Sequence, residues 1–262
     1  MAYQQFSPPI PLHPWVKCSW RIERTFAEPV LTQEILPDSY LEVVFCLGDS
    51  YHLELADGVT VLAPPCYVLP LLAHPVHVRA TAGATVHILA ARCYPWAAAG
   101  LLGLSFANPR PLLTPLIGAD WEDLTATLHA QVQAGHYAAA AAELFAFLAH
   151  RLPAPPHQPD VRELAHLRQR AAGASVGAGG SAARRHLERL CRRYAGTSPK
   201  QLLRLVRFEQ VRDYLYAHPA TSLAAVAYDF GFADQAHLTH EFRRFARLTP
   251  GQFAARCAAQ QS

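Results

Sequence analysis

The chain has 262 residues, 51% of them hydrophobic, enough for one large domain or two ordinary ones, each with its own buried core. The opening MAYQQFSPPIPLHPW has neither a basic region nor an apolar stretch, and no run of 18 apolar residues occurs, so no secretory leader or membrane span is expected and the chain reads as a soluble cytoplasmic protein. The net charge of +3 conceals an asymmetry: residues 160–262 hold 16 Lys+Arg against 8 Asp+Glu, and the preceding residues 7 against 12, so the basic charge that would displace counterions from a polyanion sits in the C-terminal part.

From about Val30 to Ala91, short runs rich in β-formers alternate with turn signals: VLTQEIL, YLEVVFCL, YHLEL, VTVLA, CYVLPLLA, VHVRATA and TVHILAA. Breaks at Pro37-Asp38, Gly48-Asp49, Asp57-Gly58 and Pro64-Pro65 space them as an all-β barrel or sandwich. After Pro95 the texture turns helical, in WAAAGLLGL, WEDLTATLHAQVQAG and HYAAAAAELFAFLAHRL, and these helices are expected to flank the barrel. Four prolines between Leu152 and Asp160 cannot continue a helix, so residues 152–160 are expected to link a first domain, 1–151, to a second, 161–262. Six cysteines, Cys18, Cys46, Cys66, Cys93, Cys191 and Cys257, stand singly without a CxxC, a distribution of packing thiols rather than of a disulfide frame or a zinc site.

The second domain is helical throughout. Ser198 and Pro199 have the N-cap and first-turn chemistry of a helix running about 19 residues to Pro219, a rod of roughly 28 Å. Ser222 opens a short helix with Leu223, Val226, Ala227 and Phe230 on one face, ending at Gly231, and another begins at Asp234. In that last helix Leu238, Phe242 and Phe245 form a core face. Ala236, Thr239, His240 and Arg243, with Gln235 and Arg244 beside them, form an outer face of the polar types that bond base edges and phosphates. Two short helices joined by a glycine turn, the second with such a face, describe a helix-turn-helix.

A repeat strengthens this. Shifting the sequence by 51 residues lays HLERLCRRYAGTSPKQ (186–201) on HLTHEFRRFARLTPGQ (237–252), with seven of sixteen positions identical. Leu187, Cys191 and Tyr194 answer Leu238, Phe242 and Phe245, and the outer face becomes Arg185, Glu188, Arg189 and Arg192. The rod of roughly 28 Å between the copies, plus the radii of its neighbouring helices, can hold them at about the roughly 34 Å that separates successive major-groove faces of B-DNA. Where the second copy has its supporting helix, the first has AAGASVGAG, whose glycines each cost about 1 kcal/mol relative to Ala in a helix, so the first reader is expected to be less firmly held.

The stretch SLAAVAYDFGFADQAHLTHEFRRFARLTPGQF resembles the signature of AraC/XylS-type transcription regulators, and SAARRHLERLCRRYAGTSPKQLLRLVRFEQVRDYL is similar to that family's first reader and linking helix. In the first domain, HPWVKCSWRIERTF, EILPDSYLEVVFCL and ARCYPWAAAGLLGLSFANP resemble the cupin-like sensory domain attached to some of these regulators. The resemblance implies a multidomain α+β chain: an N-terminal cupin-like β-barrel with flanking helices for ligand sensing or dimerisation, and a C-terminal all-α double helix-turn-helix domain. It implies base contacts from Arg185, Glu188, Arg189, Gln235, Ala236, Thr239 and His240, and phosphate contacts from Arg192, Arg193, Lys200, Arg207, Arg243 and Arg244. His240 stands where Arg is commoner in the family, which implies a weaker or pH-dependent contact. Double-stranded DNA is the implied partner, with RNA polymerase, an unknown small-molecule effector and a second copy of the chain, joined through the N-terminal domain, as further candidates. No cofactor or metal is implied.

Two other readings compete. A cupin-type metal-dependent enzyme would use His74, His77 and His87, although the HxH with a following Glu that such a site needs is absent. A regulator whose weakened first reader no longer reads DNA would instead dock on another protein. The triplet Asp229-Phe230-Gly231 spells a kinase magnesium motif, but no glycine-rich phosphate loop, strand lysine or HRD-type catalytic loop accompanies it.

Overall fold

A computed structural model describes residues 2–27, 32–55, 58–104, 113–153, 158–171 and 181–261. Among the described residues the first part forms two antiparallel sheets. One is six-stranded in the order β1-β2-β9-β4-β7-β10, built from β1 (Ala2–Phe6), β2 (Val16–Thr25), β4 (Leu41–Cys46), β7 (Cys66–Leu69), β9 (Thr85–Cys93) and β10 (Thr114–Pro115). The other is four-stranded in the order β3-β8-β5-β6, from β3 (Thr32–Ile35), β5 (His52–Glu54), β6 (Thr60–Leu62) and β8 (Val76–Arg79). The interior is therefore enclosed by two separate ladders, an open barrel.

The strand period of two divides β9 between two cores. Val86, Ile88 and Ala90 face the barrel interior with Val44, Tyr51, Leu53, Tyr67 and Val78, whereas Leu89, Ala91 and Cys93 face outward onto a helical layer. That layer is the hairpin of α2 (Ala119–Gln133) and α3 (Tyr137–Ala149), whose Leu124, Leu128, Leu144 and Leu148 cover the sheet. Burial on both faces is why TVHILAA reads as an apolar run. The sequence pattern begins the strands at Val30, and β1 and β2 precede it. The exposed polar β1 edge and the charges of Lys17, Arg21, Glu23 and Arg24 in β2 hide the alternation there. Between the sheet and the hairpin, WAAAGLLGL yields a single helical turn, α1 (Ala97–Gly100). A β-carbon on Gly100 would lie 2.3 Å from the Trp15 ring, so any side chain there displaces Trp15.

The rest is helical: α4 (Gln158–Ala171), α5 (Ser181–Leu190) continued by a π-turn over Cys191–Ala195, α6 (Pro199–Ala217), α7 (Leu223–Asp229), α8 (Gln235–Ala246) and α9 (Pro250–Gln261). Among the described residues no helix is long and apolar enough to cross a membrane. The rod α6 begins with the expected cap: the Ser198 hydroxyl accepts from Gln201 N at 3.2 Å, and the Gln201 side chain accepts from Ser198 N at 3.4 Å. The same box recurs 51 residues later, where Gln252 Oε1 accepts from Thr249 N at 2.9 Å and Thr249 Oγ1 from Gln252 N at 3.2 Å, so the repeat includes the start of the helix after each reader. The Gly-rich segment before the first reader lies outside the described residues, with Gly173, Gly177, Gly179 and Gly180.

The two copies differ at one strained position. After the first reader the chain turns through Gly196 at φ 57°; after the second, the equivalent residue is Arg247 at φ 59°. A β-carbon in the left-handed region costs about 1 kcal/mol. Arg247→Gly is therefore expected to stabilise the helical domain by about that amount, read as a rise in the urea midpoint of its ellipticity at 222 nm. An unchanged or lower midpoint would show that the Arg247 side chain repays the strain.

Candidate nucleic-acid interface

The rod supports a reader at each end. Leu202 and Val206 of α6 join Leu190, Cys191 and Tyr194 in the core that also runs under the β-sheet and α2–α3. Further along, Leu205, Phe208, Val211 and Leu215 join Val226, Ala227, Leu238, Phe242, Phe245 and Phe253 in a separate core. At 1.5 Å per residue the nineteen residues of α6 span about 28 Å.

The second unit is assembled as its periodicity predicts. Val226 and Ala227 of α7 are buried, Phe230 packs edge-on against Tyr214 at 5.4 Å, and Gly231 turns the chain at φ 70°. The triplet resembling a kinase motif is thus a helix end, a packing ring and a turn, with Asp229 exposed. Asp234 caps α8 by accepting from His237 N at 2.7 Å. Leu238, Phe242 and Phe245 are buried, while Gln235, Ala236, His240, Arg243 and Arg244 are exposed and Thr239 is half-exposed. The Thr239 hydroxyl donates to Gln235 O at 2.8 Å, which uses its proton and leaves the oxygen able to accept.

A residue pair that local pattern does not reveal orients this helix. Arg204 of α6 makes a two-pronged ion pair with Glu241 of α8, through Nε to Oε2 at 2.5 Å and Nη2 to Oε1. The hydrogen bond from Arg204 holds the Glu241 carboxyl below its usual range. The partners lie 37 residues apart, so only the packing of α8 on the rod joins them. Arg207, one turn further on, points to the same unit: its guanidinium lies 5.3 Å from the Phe232 ring centroid and 3.5 Å from Gly231 O, bracing the turn.

On the first reader Arg185, Arg189, Arg192 and Arg193 are exposed and Glu188 is half-buried. Several are engaged with one another. Glu188 Oε1 accepts from Arg192 Nη2 at 3.0 Å, and Arg189 Nη2 lies 3.0 Å from His186 Nδ1, whose other ring nitrogen meets Glu163 at 3.1 Å. Arg193 lies over the Tyr194 ring at 5.2 Å. Lys200 is exposed in the first turn of the rod.

The three histidines of the enzyme reading do not converge. His77 faces Glu34 across the β3–β8 ladder at 3.9 Å. His87 is buried 5.9 Å from the Tyr137 ring. His74 lies at the far end of α8, where burial and then the charge of Arg247 hold its pKa down. Among the described residues no group of three or more His, Cys, Asp or Glu could hold a metal ion. The cysteines are free and, apart from the half-buried Cys46, fully buried, and burial pushes the thiols of Cys66 and Cys191 up to about 12. They are packing groups.

Comparison with known proteins matches two separate stretches of the chain to different families. Residues 181–256 match a family described as a helix-turn-helix domain, and residues 4–122 match a domain of unknown function (DUF6597). The curated relative HTH-type transcriptional regulator GlxA of Rhizobium meliloti (strain 1021) is 36% identical over 72 residues, which are 28% of this chain and 22% of that protein. The chain thus spans about a fifth of that relative's length. Among solved structures, ToxT from Vibrio cholerae O395 is similar over 97% of both chains at 11% identity and a TM-score of 0.48. The AraC-like transcriptional activator CuxR is similar over 94% of this chain and 74% of its own, at 14% identity and a TM-score of 0.28.

Proposed function

Because residues 181–256 form a helix-turn-helix domain of the AraC type, we propose that the chain is a sequence-specific transcription regulator that reads two adjacent major grooves of double-stranded DNA from the two ends of α6. The observation that carries this is the second reader. Its apolar face, Leu238, Phe242 and Phe245, is buried, and its opposite face offers an amide, a methyl group, an imidazole and guanidinium groups to solvent. Gln235, Ala236, Thr239 and His240 are the base readers of this unit, with Arg185, Glu188 and Arg189 in the first. Arg192, Arg193, Lys200, Arg243 and Arg244 hold phosphates, and Arg207 does so from beside the turn it braces. The β-rich first domain is the sensory or dimerisation module, with a small-molecule effector, RNA polymerase and a second copy of the chain as further partners, acting in the cytoplasm.

On the free first reader Glu188 and Arg192 neutralise each other. Binding must part them, releasing Arg192 to a phosphate and Glu188 to a cytosine amine. Selection from random duplex DNA followed by gel shift tests the whole reading. The paired change Arg243→Ala, Arg244→Ala is expected to weaken binding to every sequence and to reduce the slope of log K against log salt by about 2, roughly 0.9 for each phosphate that is no longer neutralised. His240→Ala and Arg189→Ala are expected to relax preference at particular base pairs, at about 1–3 kcal/mol each, with the salt slope less affected. Failure of the intact chain to enrich any sequence at moderate salt would refute the proposal.

A further inference from the structure

The Pro-Asp turn before β4 has no part in the barrel core, yet it carries a dense set of polar interactions, and they lead to the DNA-binding helices. Ser39 is completely buried. Its backbone N–H donates to Glu209 Oε2 of α6 at 3.2 Å, and its hydroxyl donates to the same oxygen. Arg168 of α4 donates to the Ser39 hydroxyl oxygen from Nη2 at 2.8 Å and Nε at 3.2 Å, and lies 3.5 Å from Glu209. Two residues before Ser39, Pro37 O accepts from Arg212 of α6 at 3.0 Å. Tyr40 is the floor of the junction: the guanidinium of Arg168 lies 4.5 Å from its ring centroid, and that of Arg92, paired with Asp38 and Glu42, lies at 5.6 Å.

The same segment also reaches the other reader. Glu34, at the end of β3, pairs with Arg256 of α9 at 2.6 Å, and Leu36 packs against the core of the second helix-turn-helix. Residues 34–40 therefore touch the helix that supports the first reader, the rod, and the helix that backs the second reader. A connection between a β-strand and its neighbour has no need of three such anchors. Buried ionised groups are costly unless every one is matched, so this arrangement holds in one geometry and is lost when one member goes.

We propose that residues 34–40 are a clasp through which the first domain sets the angle between the two readers, and so the operator spacing that the chain accepts. This rests on the two-groove reading proposed above. Two linked readers gain from each other only when their geometry lets both engage at once, and a clasped pair tolerates one spacing where a hinged pair tolerates several.

The test uses the full chain and has two arms. In the first, unfolding in urea is followed by tryptophan emission and by ellipticity. All four tryptophans, Trp15, Trp20, Trp96 and Trp121, belong to the first part of the chain, so emission reports that part and ellipticity is weighted to the helices. The two curves are expected to coincide in the wild type and to separate in Arg168→Glu, which sets two carboxylates against each other. The swapped pair Arg168→Glu, Glu209→Arg is expected to bring them together again. In the second arm, a selected duplex with two to four base pairs inserted between its half-sites is expected to bind the wild type about tenfold or more weaker than the selected spacing, and Arg168→Glu less than about threefold weaker. Coincident curves in Arg168→Glu, or a spacing penalty equal to that of the wild type, would overturn the clasp. If no duplex is enriched by the wild type, the DNA reading falls, and the unfolding arm alone still decides whether residues 34–40 couple the two parts.

Discussion

Phe242→Ala is expected to destabilise the C-terminal helices by about 3–5 kcal/mol, the ordinary cost of truncating a buried phenylalanine. Phe242 is 1% exposed and sits at the centre of the second core, with ring centroids 5.0 Å from Phe208 of α6 and 5.5 Å from Phe253 of α9. It thus joins three helices at one point, and the neighbours are rings that cannot collapse into the space it leaves. The outer face of α8 stays chemically intact but loses its backing, so affinity is expected to fall for every DNA sequence alike, unlike the base-specific losses of the His240 variant. In urea the ellipticity midpoint should drop well below that of tryptophan emission. A loss below about 1 kcal/mol would place Phe242 in a site able to relax, and would remove the structural basis assigned to the second reader.

The second large effect runs with pH. Glu42 is buried, and its carboxylate accepts from Arg92 Nε at 2.6 Å and Trp20 Nε1 at 2.9 Å. Burial nonetheless pushes its pKa up to about 7, and Asp38, which competes for the same guanidinium, adds to the rise; Asp38 is itself raised, again chiefly by burial. The unfolded chain releases the Glu42 proton near 4.5, its ordinary value. Between these values the folded state binds more protons than the unfolded, so stability falls as pH rises through this window, by about 3 kcal/mol for a shift of this size. Above about 7 the full cost is present, and below about 4.5 it is gone. Glu241 has the opposite sign, its pairing with Arg204 being lost as pH falls through its lowered folded pKa. The urea midpoint from tryptophan emission, to which Trp20 contributes directly, is expected to be higher at pH 5.5 than at pH 8. Glu42→Gln should flatten that difference, and parallel curves for the two proteins would contradict the assignment.

How much of this is legible from the residues alone depends on distance along the chain. The boundaries of α6, α7 and α8 follow from caps and a 3.6-residue period, which are local, and the folded chain has the expected Ser198 start of the rod, the Gly231 turn and the split of α8 into a buried and an exposed face. The second helix-turn-helix unit is legible because the buried and the exposed polar residues of α8 occupy opposite sides of one helix. The strands β1 and β2 are less so, because Arg21 is buried on a sheet face where periodicity calls for an apolar residue. Arg204 and Glu241 carry no signal of their own, being ordinary charges on ordinary helices until α8 packs on the rod.

The amino-acid sequence alone thus determined the order of α6, α7 and α8, the repeat that gives α5 and α8 one pattern, and which side of each of these two helices faces solvent, since the caps and periods involved span a few residues, whereas α4 and α9 were not legible in it. Tertiary structure alone decided what the Pro-Asp turn holds. Ser39, Arg168 and Glu209 are brought together across separations of 129 and 170 residues. No periodicity reaches so far, and a buried carboxylate declares itself only when the packed chain supplies the groups that neutralise it.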